Sequence, residues 1–159
     1  MVTQVFFDTS IFVAGLVEMG RASEAPQRAL AAVAGGHVRK PFTAWHCCLE
    51  FYSVVTRLPE ELRLSPGEAL QLIEGNILDR FEIRQLLDNA QGTFLKALEH
   101  DQVLGGRVYD AHIAEIARLS GAKTVVTDNR RHFASLARHG IRVLSAQELV
   151  AEEMGDERP

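Results

Sequence analysis

The order of the apolar segments constrains this chain more than any other feature of its sequence. Short runs suited to buried strands occur at Gln4-Val5-Phe6-Phe7, around Val38 to Phe42, at Arg80 to Gln85, at Thr124 to Thr127 and at Val143-Leu144. Helix-length sequence separates every consecutive pair. Hairpins are thereby excluded, because antiparallel neighbours need only a tight turn whereas parallel strands need crossovers of about a dozen residues or more. The expected fold class is α/β, three layers deep, with a five-stranded parallel sheet flanked by helices on both faces. In such open sheets ligands collect at the carboxyl edge, where loops and helix N-termini converge, so the residues just after each strand matter most.

The helices carry their own punctuation. Thr9 or Ser10 is expected to cap a helix over Ile11 to Val17, and a second helix starts near Ser23, with Pro26 in its first turn, and stops at Gly35-Gly36. Thr43 is expected to cap a helix over Ala44 to Leu58 that Pro59 ends, and Asp88 to cap one running to about Glu99. Ser65-Pro66-Gly67-Glu68 and Ser145 with Glu148 form capping boxes. Gly105-Gly106 leads into the helix that Gly121 ends, and a short helix spans Arg130 to Arg138. No linker, repeat or low-complexity stretch divides the chain, so residues 1–150 are read as a single domain and 151–159 as a short acidic tail.

Composition narrows the function classes. With 47% hydrophobic and 24% charged residues among 159, the chain can bury a real core and is not a disordered polymer. No apolar run approaches the ~18 residues of a membrane helix, and no basic leader precedes the first strand, so the expectation is a cytoplasmic protein without a membrane partner. Cys47 and Cys48 are adjacent, which suits buried reduced thiols rather than a disulfide or a zinc half-site. The histidines are scattered, with no i, i+4 pair on one helix, which removes support for a His-based metal site. The net charge is −4, but the last nine residues alone contribute −3. Once these and the acids discussed next are set apart, the body is mildly basic, which permits a phosphate-rich partner and equally describes an ordinary mixed surface.

Acids fall where the fold places ligands. Asp8 closes the first strand. Asp110 lies on helical spacing with Ile113, Ala114 and Ala117, a stripe that should face a core. Glu50 sits in a polar stripe with His46, Ser53 and Arg57 between flanks that include Trp45, Leu49, Phe51 and Tyr52. Each has a structural alternative: Asp8 and Asp110 suit helix N-termini, and Glu50 suits a solvated face where it positions Arg57 or His46. Gathered together, though, carboxylates without imidazole or thiolate partners describe a site for a hard divalent cation.

Four motifs in order carry a family resemblance. Asp8-Thr9-Ser10, then Leu49-Glu50-Phe51 leading to Thr56-Arg57-Leu58-Pro59, then Gly105-Gly106-x-x-Tyr109-Asp110-Ala111, and finally Thr127-x-Asn129-x-x-His132-Phe133 resemble a PIN domain, most closely of the VapC toxin type. The resemblance implies a PIN-like fold and a Mg2+- or Mn2+-dependent endoribonuclease that hydrolyses RNA. It also implies a cognate VapB-type antitoxin and a homodimer. Carried over by position, Asp8, Glu50 and Asp110 match the family's first three acids, with Asp8 and Asp110 as metal ligands and Ser10 and Thr127 in support. The family's fourth acid falls at Asn129, while Asp128 stands one residue early, so either Asn129 serves as a neutral group or the loop lets Asp128 take the role. Arg107, Arg130 and Arg131 are expected along the same edge, where they meet RNA phosphates or form an ordinary basic patch. Tyr109 and Phe133 are expected as core anchors and His132 as structural. A different class remains open: a catalytically silent PIN-like module whose acids grip a basic partner. A dehalogenase-like phosphatase is disfavoured because Ser10 stands where that mechanism needs a second acid, and no phosphate-binding glycine loop is present.

Overall fold

Val2–Thr3 (β1) and Val5–Phe7 (β2) open the chain, and β2, wholly buried, is the middle strand of a five-stranded parallel sheet. The computed structural model describes residues 2–155. After β2 come the helices Thr9–Leu16 (α1) and Arg21–Ala34 (α2), then Val38–Arg39 (β3), Phe42–Ala44 (β4) and Trp45–Val55 (α3). Pro66–Leu72 (α4) runs on as a π-helical turn, Ile73–Leu78, into Glu82–Arg84 (β5). Asp88–His100 (α5) and Arg107–Leu119 (α6) lead to Thr124–Val126 (β6). Arg130–Phe133 (α7), a 3-10 turn over Ala134–His139, Arg142–Leu144 (β7) and Ala146–Gly155 (α8) complete the order. The sheet order is β5-β4-β2-β6-β7.

Alternation along the strands sorts side chains to two cores. Val5 and Phe7 join residues from α1, α2, α3 and α8 on one face, while Phe6 joins Phe42, Ile113, Ile116 and Phe133 on the other. Gly15 permits the close crossing of α1 and α2, because a Cβ there would stand 2.6 Å from Leu30 Cδ1 and 3.2 Å from the Pro26 backbone. Gly121 ends the α6 region at φ +83°, a conformation that favours glycine.

Several sequence expectations are corrected. The strand expected over Val38 to Phe42 is two pieces, broken at Lys40 (φ 49°) and matched by Gln4 (φ 55°) on the neighbouring strand. The same register holds on both sides of this paired kink: Val2 pairs with Val38, and Phe6 with Phe42. Asp8 occupies the N-cap position of α1, so Thr9 and Ser10 lie inside its first turn, and α2 begins before Ser23, leaving Pro26 beyond the first turn. Ser23 ties the turn before it, its Oγ accepting from Met19 N at 2.8 Å and donating to Val17 O at 3.0 Å. Thr43 does not cap α3. It lies within β4, buried, and donates to Phe7 O at 2.7 Å, while Ala44 takes the cap position. Leu87 caps α5, and Asp88 is the first residue inside it.

Both capping boxes are formed, at Ser65/Glu68 and Ser145/Glu148. Residue 150 falls inside α8, whose Glu152 pairs with Arg142 at 2.7 Å and whose Glu153 accepts from Val2 N at 3.1 Å. Residues 156–159 of the expected tail lie outside the described residues. No helix among the described residues is long and apolar enough to cross a membrane.

The Thr43 hydroxyl joins two adjacent strands where the sheet is driest. Thr43→Val should therefore lower unfolding free energy by about 1–3 kcal/mol, because it leaves a buried carbonyl short of a donor. Urea denaturation of this variant beside Thr43→Ser, which keeps the hydroxyl, checks the assignment: Ser should recover part of the loss.

Candidate active site

The strand order reverses at β2. From there the chain builds outward through β4 and β5, then returns to lay β6 against the other side of β2, so the carboxyl ends of β2 and β6 adjoin at the switch point. Asp8 follows β2 and Thr127 follows β6. Backbone bonds fix both: Asp8 N donates to Val126 O at 3.0 Å and Thr127 N to Leu144 O at 2.9 Å.

Asp8 is only 4% exposed. Its Oδ2 accepts from Thr127 Oγ1 at 2.8 Å and from Ser10 Oγ at 3.0 Å, and the two hydroxyl oxygens stand 3.4 Å apart. These hydroxyls also receive the next loop, since Asp128 N donates to Ser10 Oγ and Asn129 N to Thr127 Oγ1, each at 3.0 Å. Burial pushes the Asp8 carboxyl up to about 6; the Thr127 and Ser10 hydrogen bonds oppose this, and the charge of Glu50 adds to it. Cys47, beneath the same edge, is pushed up to about 12 by burial first and by the Asp8 charge second, so it remains an inert thiol. Thr9 Oγ1 is buried with no hydrogen-bond partner among the described residues.

Glu50 reaches the site from α3. The stripe is split: Ser53 and Arg57 are exposed, as the solvated alternative has it, but the His46 side chain is 19% exposed, its Nε2 4.0 Å from Glu50 Oε2 and its Nδ1 2.9 Å from His112 Nδ1 on α6. Burial, then the neighbouring His46, pushes the His112 imidazole below its ordinary range. Trp45, Leu49 and Tyr52, one flank of that helix, are instead exposed. Sequence spacing missed the His46–His112 pair because its members sit on different helices.

Asp110 stands in the first turn of α6, half-buried, and its Oδ2 is 3.0 Å from His132 Nδ1. His132, expected only to support the fold, is thus the side chain that engages this acid. Phe133 is buried as expected, but Tyr109 is 58% exposed and packs its ring on His46 at 5.6 Å rather than anchoring the core. Arg107 lines a cleft of about 190 Å³ beside Asp110 and His132. Arg130 is paired with Glu148, and Arg131 is exposed. Partial burial raises the Asp128 carboxyl above its ordinary range, although the residue is largely open to solvent.

The structure thus joins Asp8, Ser10, Thr127 and the 128–129 backbone into one network and brings the Glu50 charge to bear on Asp8. Asp110 engages His132 instead of that network. Among the described residues no three His, Cys, Asp or Glu side chains form a group that could hold a metal ion. The donors at the edge, carboxylates and hydroxyls fixed by the backbone, nonetheless fit a hard oxygen-seeking cation by their chemistry and do not fit a thiophilic one.

The PIN domain family matches residues 4–131 of the chain. Ribonuclease VapC27 of Mycobacterium tuberculosis is 34% identical over 124 residues, covering 77% of this chain and 83% of that protein. Ribonuclease VapC40 of the same organism is 35% identical over 129 residues, with 77% and 85% covered. Among solved structures, VapBC-1 from nontypeable Haemophilus influenzae shares the fold with a TM-score of 0.60 at 14% identity, covering 92% of this chain and 99% of that one.

Because the folded-state pKa of Asp8 is raised above its ordinary 3.8, the corresponding stability is fully present below about pH 3.8 and lost as pH rises through about 6. In chelator, the stability of the wild type relative to Asp8→Asn should fall between pH 4 and pH 7 by up to about 3 kcal/mol, taking ~1.4 kcal/mol per pKa unit. Urea unfolding of both proteins across that range measures it, and parallel curves would refute the assigned shift.

Proposed function

The chain belongs to the PIN-domain family, and from that membership we propose that it is a metal-dependent endoribonuclease toxin, hydrolysing RNA phosphodiester bonds under control of a cognate VapB-type antitoxin. The observation that carries the proposal is the Asp8 carboxyl at the switch point, aligned by two hydroxyls and raised by burial with a smaller contribution from Glu50. The relatives named VapC ribonucleases support RNA as the substrate. Residues 1–150 act as one catalytic domain, in a homodimer.

Asp8 and Asp110 would hold a Mg2+ or Mn2+ ion, which would supply positive charge for the phosphate oxygens and acidity for a water, the chemistry an in-line hydrolysis requires. The chain's own residues prepare that site. Thr127 and Ser10 both hold Oδ2 of Asp8, so the carboxylate's orientation is fixed before substrate arrives. Glu50 concentrates negative charge at the same edge, which repels a bare phosphodiester and favours binding through a cation. His132 orients Asp110 by its Nδ1 contact. Arg107 and Arg131 stand to receive backbone phosphates, whereas Arg130 must first leave Glu148.

Asp128 is assigned as the fourth carboxylate and Asn129 as its support, both presented by backbone N–H bonds to the Ser10 and Thr127 hydroxyls. Asp128→Asn should lower the cleavage rate by about 10²-fold or more, the scale of losing a positioned acid or base, while Asn129→Ala costs less. The opposite ranking in single-turnover assays would transfer the role to Asn129.

Purified protein should cut single-stranded RNA in Mg2+ or Mn2+, leave 5′-phosphate and 3′-hydroxyl ends, and stop in chelator. Folded Asp8→Asn and Asp110→Asn variants should be inactive. Millimolar Mg2+ or Mn2+ should also raise the melting temperature of the wild type more than that of Asp8→Asn, since a ligand of the native state stabilises it. Products ending in 2′,3′-cyclic phosphate, or full cleavage by both variants, would exclude the mechanism, and no cleavage with any ion would return the chain to a silent interaction module.

A further inference from the structure

The cleft beside Asp110 shares Asp110, His132 and Arg107 with the chemistry just described, but its other lining residues have no part in it. It holds about 190 Å³, well below the ~300–1,000 Å³ of pockets that enclose a whole small-molecule ligand and of the scale of one planar ring system. Small and apolar side chains, Val103, Ala111 and Ala114, contribute to its lining and leave room for a flat surface. Arg107 and His132, the latter on Asp110, bring planar faces of the kind on which unstacked bases lie. The remaining lining groups, Asp101, Gln102 and Ser135, are hydrogen-bonding side chains.

We propose that this cleft is a subsite for one unpaired guanine of the RNA, adjoining the bond that is cut; the inference rests on the ribonuclease proposal above. Asp101 decides the base. An ionised carboxylate only accepts hydrogen bonds, and it matches two parallel donors best. Guanine alone among the four bases presents a ring N–H and an amino group side by side on its Watson–Crick edge. Asp101 is half-exposed and its one described partner is the neighbouring His100, itself 87% exposed, so little opposes the exchange of that contact for a base. Gln102 is held at φ 54°, a left-handed conformation rare for a side-chain-bearing residue, and its Nε2 donates to Glu99 O at 2.7 Å. That bond fixes the amide and leaves its Oε1 as a further acceptor. A second cleft, of about 120 Å³, shares Asp101, Val103, Ala111, Ala114 and Ser135 with the first and continues past Phe94 toward Arg138 and His139. Together they form a trough along α6 that a single strand can follow.

The test uses the full chain in chelator, so that binding is read without cleavage. Amide correlation spectra are recorded during titration with guanosine, adenosine, cytidine or uridine 5′-monophosphate, and with inorganic phosphate. The Asp101, Gln102 and Arg107 amides should shift with the guanosine nucleotide at concentrations at least tenfold below those needed for the others. Asp101→Asn should erase that preference, and Gln102→Asn, which still tolerates the left-handed backbone, should weaken it. In Mg2+ or Mn2+, sequenced RNA ends should show guanine enriched at one position next to the cut, with the enrichment lost in Asp101→Asn alone among the flanking positions. Shifts equal for phosphate and all nucleotides, or none at these amides, would overturn the subsite and leave the cleft to a protein partner. If the guanosine nucleotide binds as described but RNA stays uncut, the ribonuclease proposal fails and the base site stands. If RNA is cut with the same flanking profile by wild type and Asp101→Asn, the base site fails and the ribonuclease stands.

Discussion

A carboxylate placed where water cannot reach it sets the terms for the rest of this edge. Asp8 ends the most buried strand of the sheet, and its charge must be met by something brought from elsewhere in the chain. The fold meets it in part with two hydroxyls, one two residues on at Ser10 and one across the strand boundary at Thr127. Those bonds oppose the effect of burial but do not cancel it, and the acid stays raised to about 6. The same oxygens receive the amides of Asp128 and Asn129, so the loop that follows β6 is shaped by the acid that follows β2. The orientation of the Asp8 carboxyl is thus set by the scaffold.

The second organising contact lies between α3 and α6. His46 meets His112 at 2.9 Å and packs on Tyr109, which fixes the helix that carries Glu50 against the helix that carries Asp110. Asp110 itself turns to His132 from the segment after β6. Acids from three separate stretches are therefore each held by a side chain from elsewhere in the fold or on the same helix: Asp8 by Thr127 and Ser10, Glu50 beside His46, and Asp110 by His132.

Much of this was legible beforehand where the signal is local. The parallel sheet followed from crossover lengths, the two capping boxes from a serine and a glutamate three residues apart, and Asp8 from its place after an apolar strand. Local rules failed where a side chain found a better partner outside its own helix. Thr43 has the composition of a cap but bonds the neighbouring strand, and Tyr109 has the composition of a core anchor but lies on the surface against His46. In the stripe through Glu50 the solvated alternative holds for Ser53 and Arg57 and fails for His46, because spacing on one helix says nothing of the helix that His46 meets.

What the sequence determined by itself is therefore what periodicity and chain reach can dictate: strand and helix order, the parallel arrangement, and the acids that end up at strand and helix termini. What the tertiary structure alone decided is pairing across distance. Thr127 on Asp8, His132 on Asp110 and His46 on His112 join residues 119, 22 and 66 positions apart, as their numbers show. Hydrogen bonds and charge act over a few ångströms of space regardless of separation along the chain, so their partners are fixed only once β6 has been laid beside β2 and α6 beside α3.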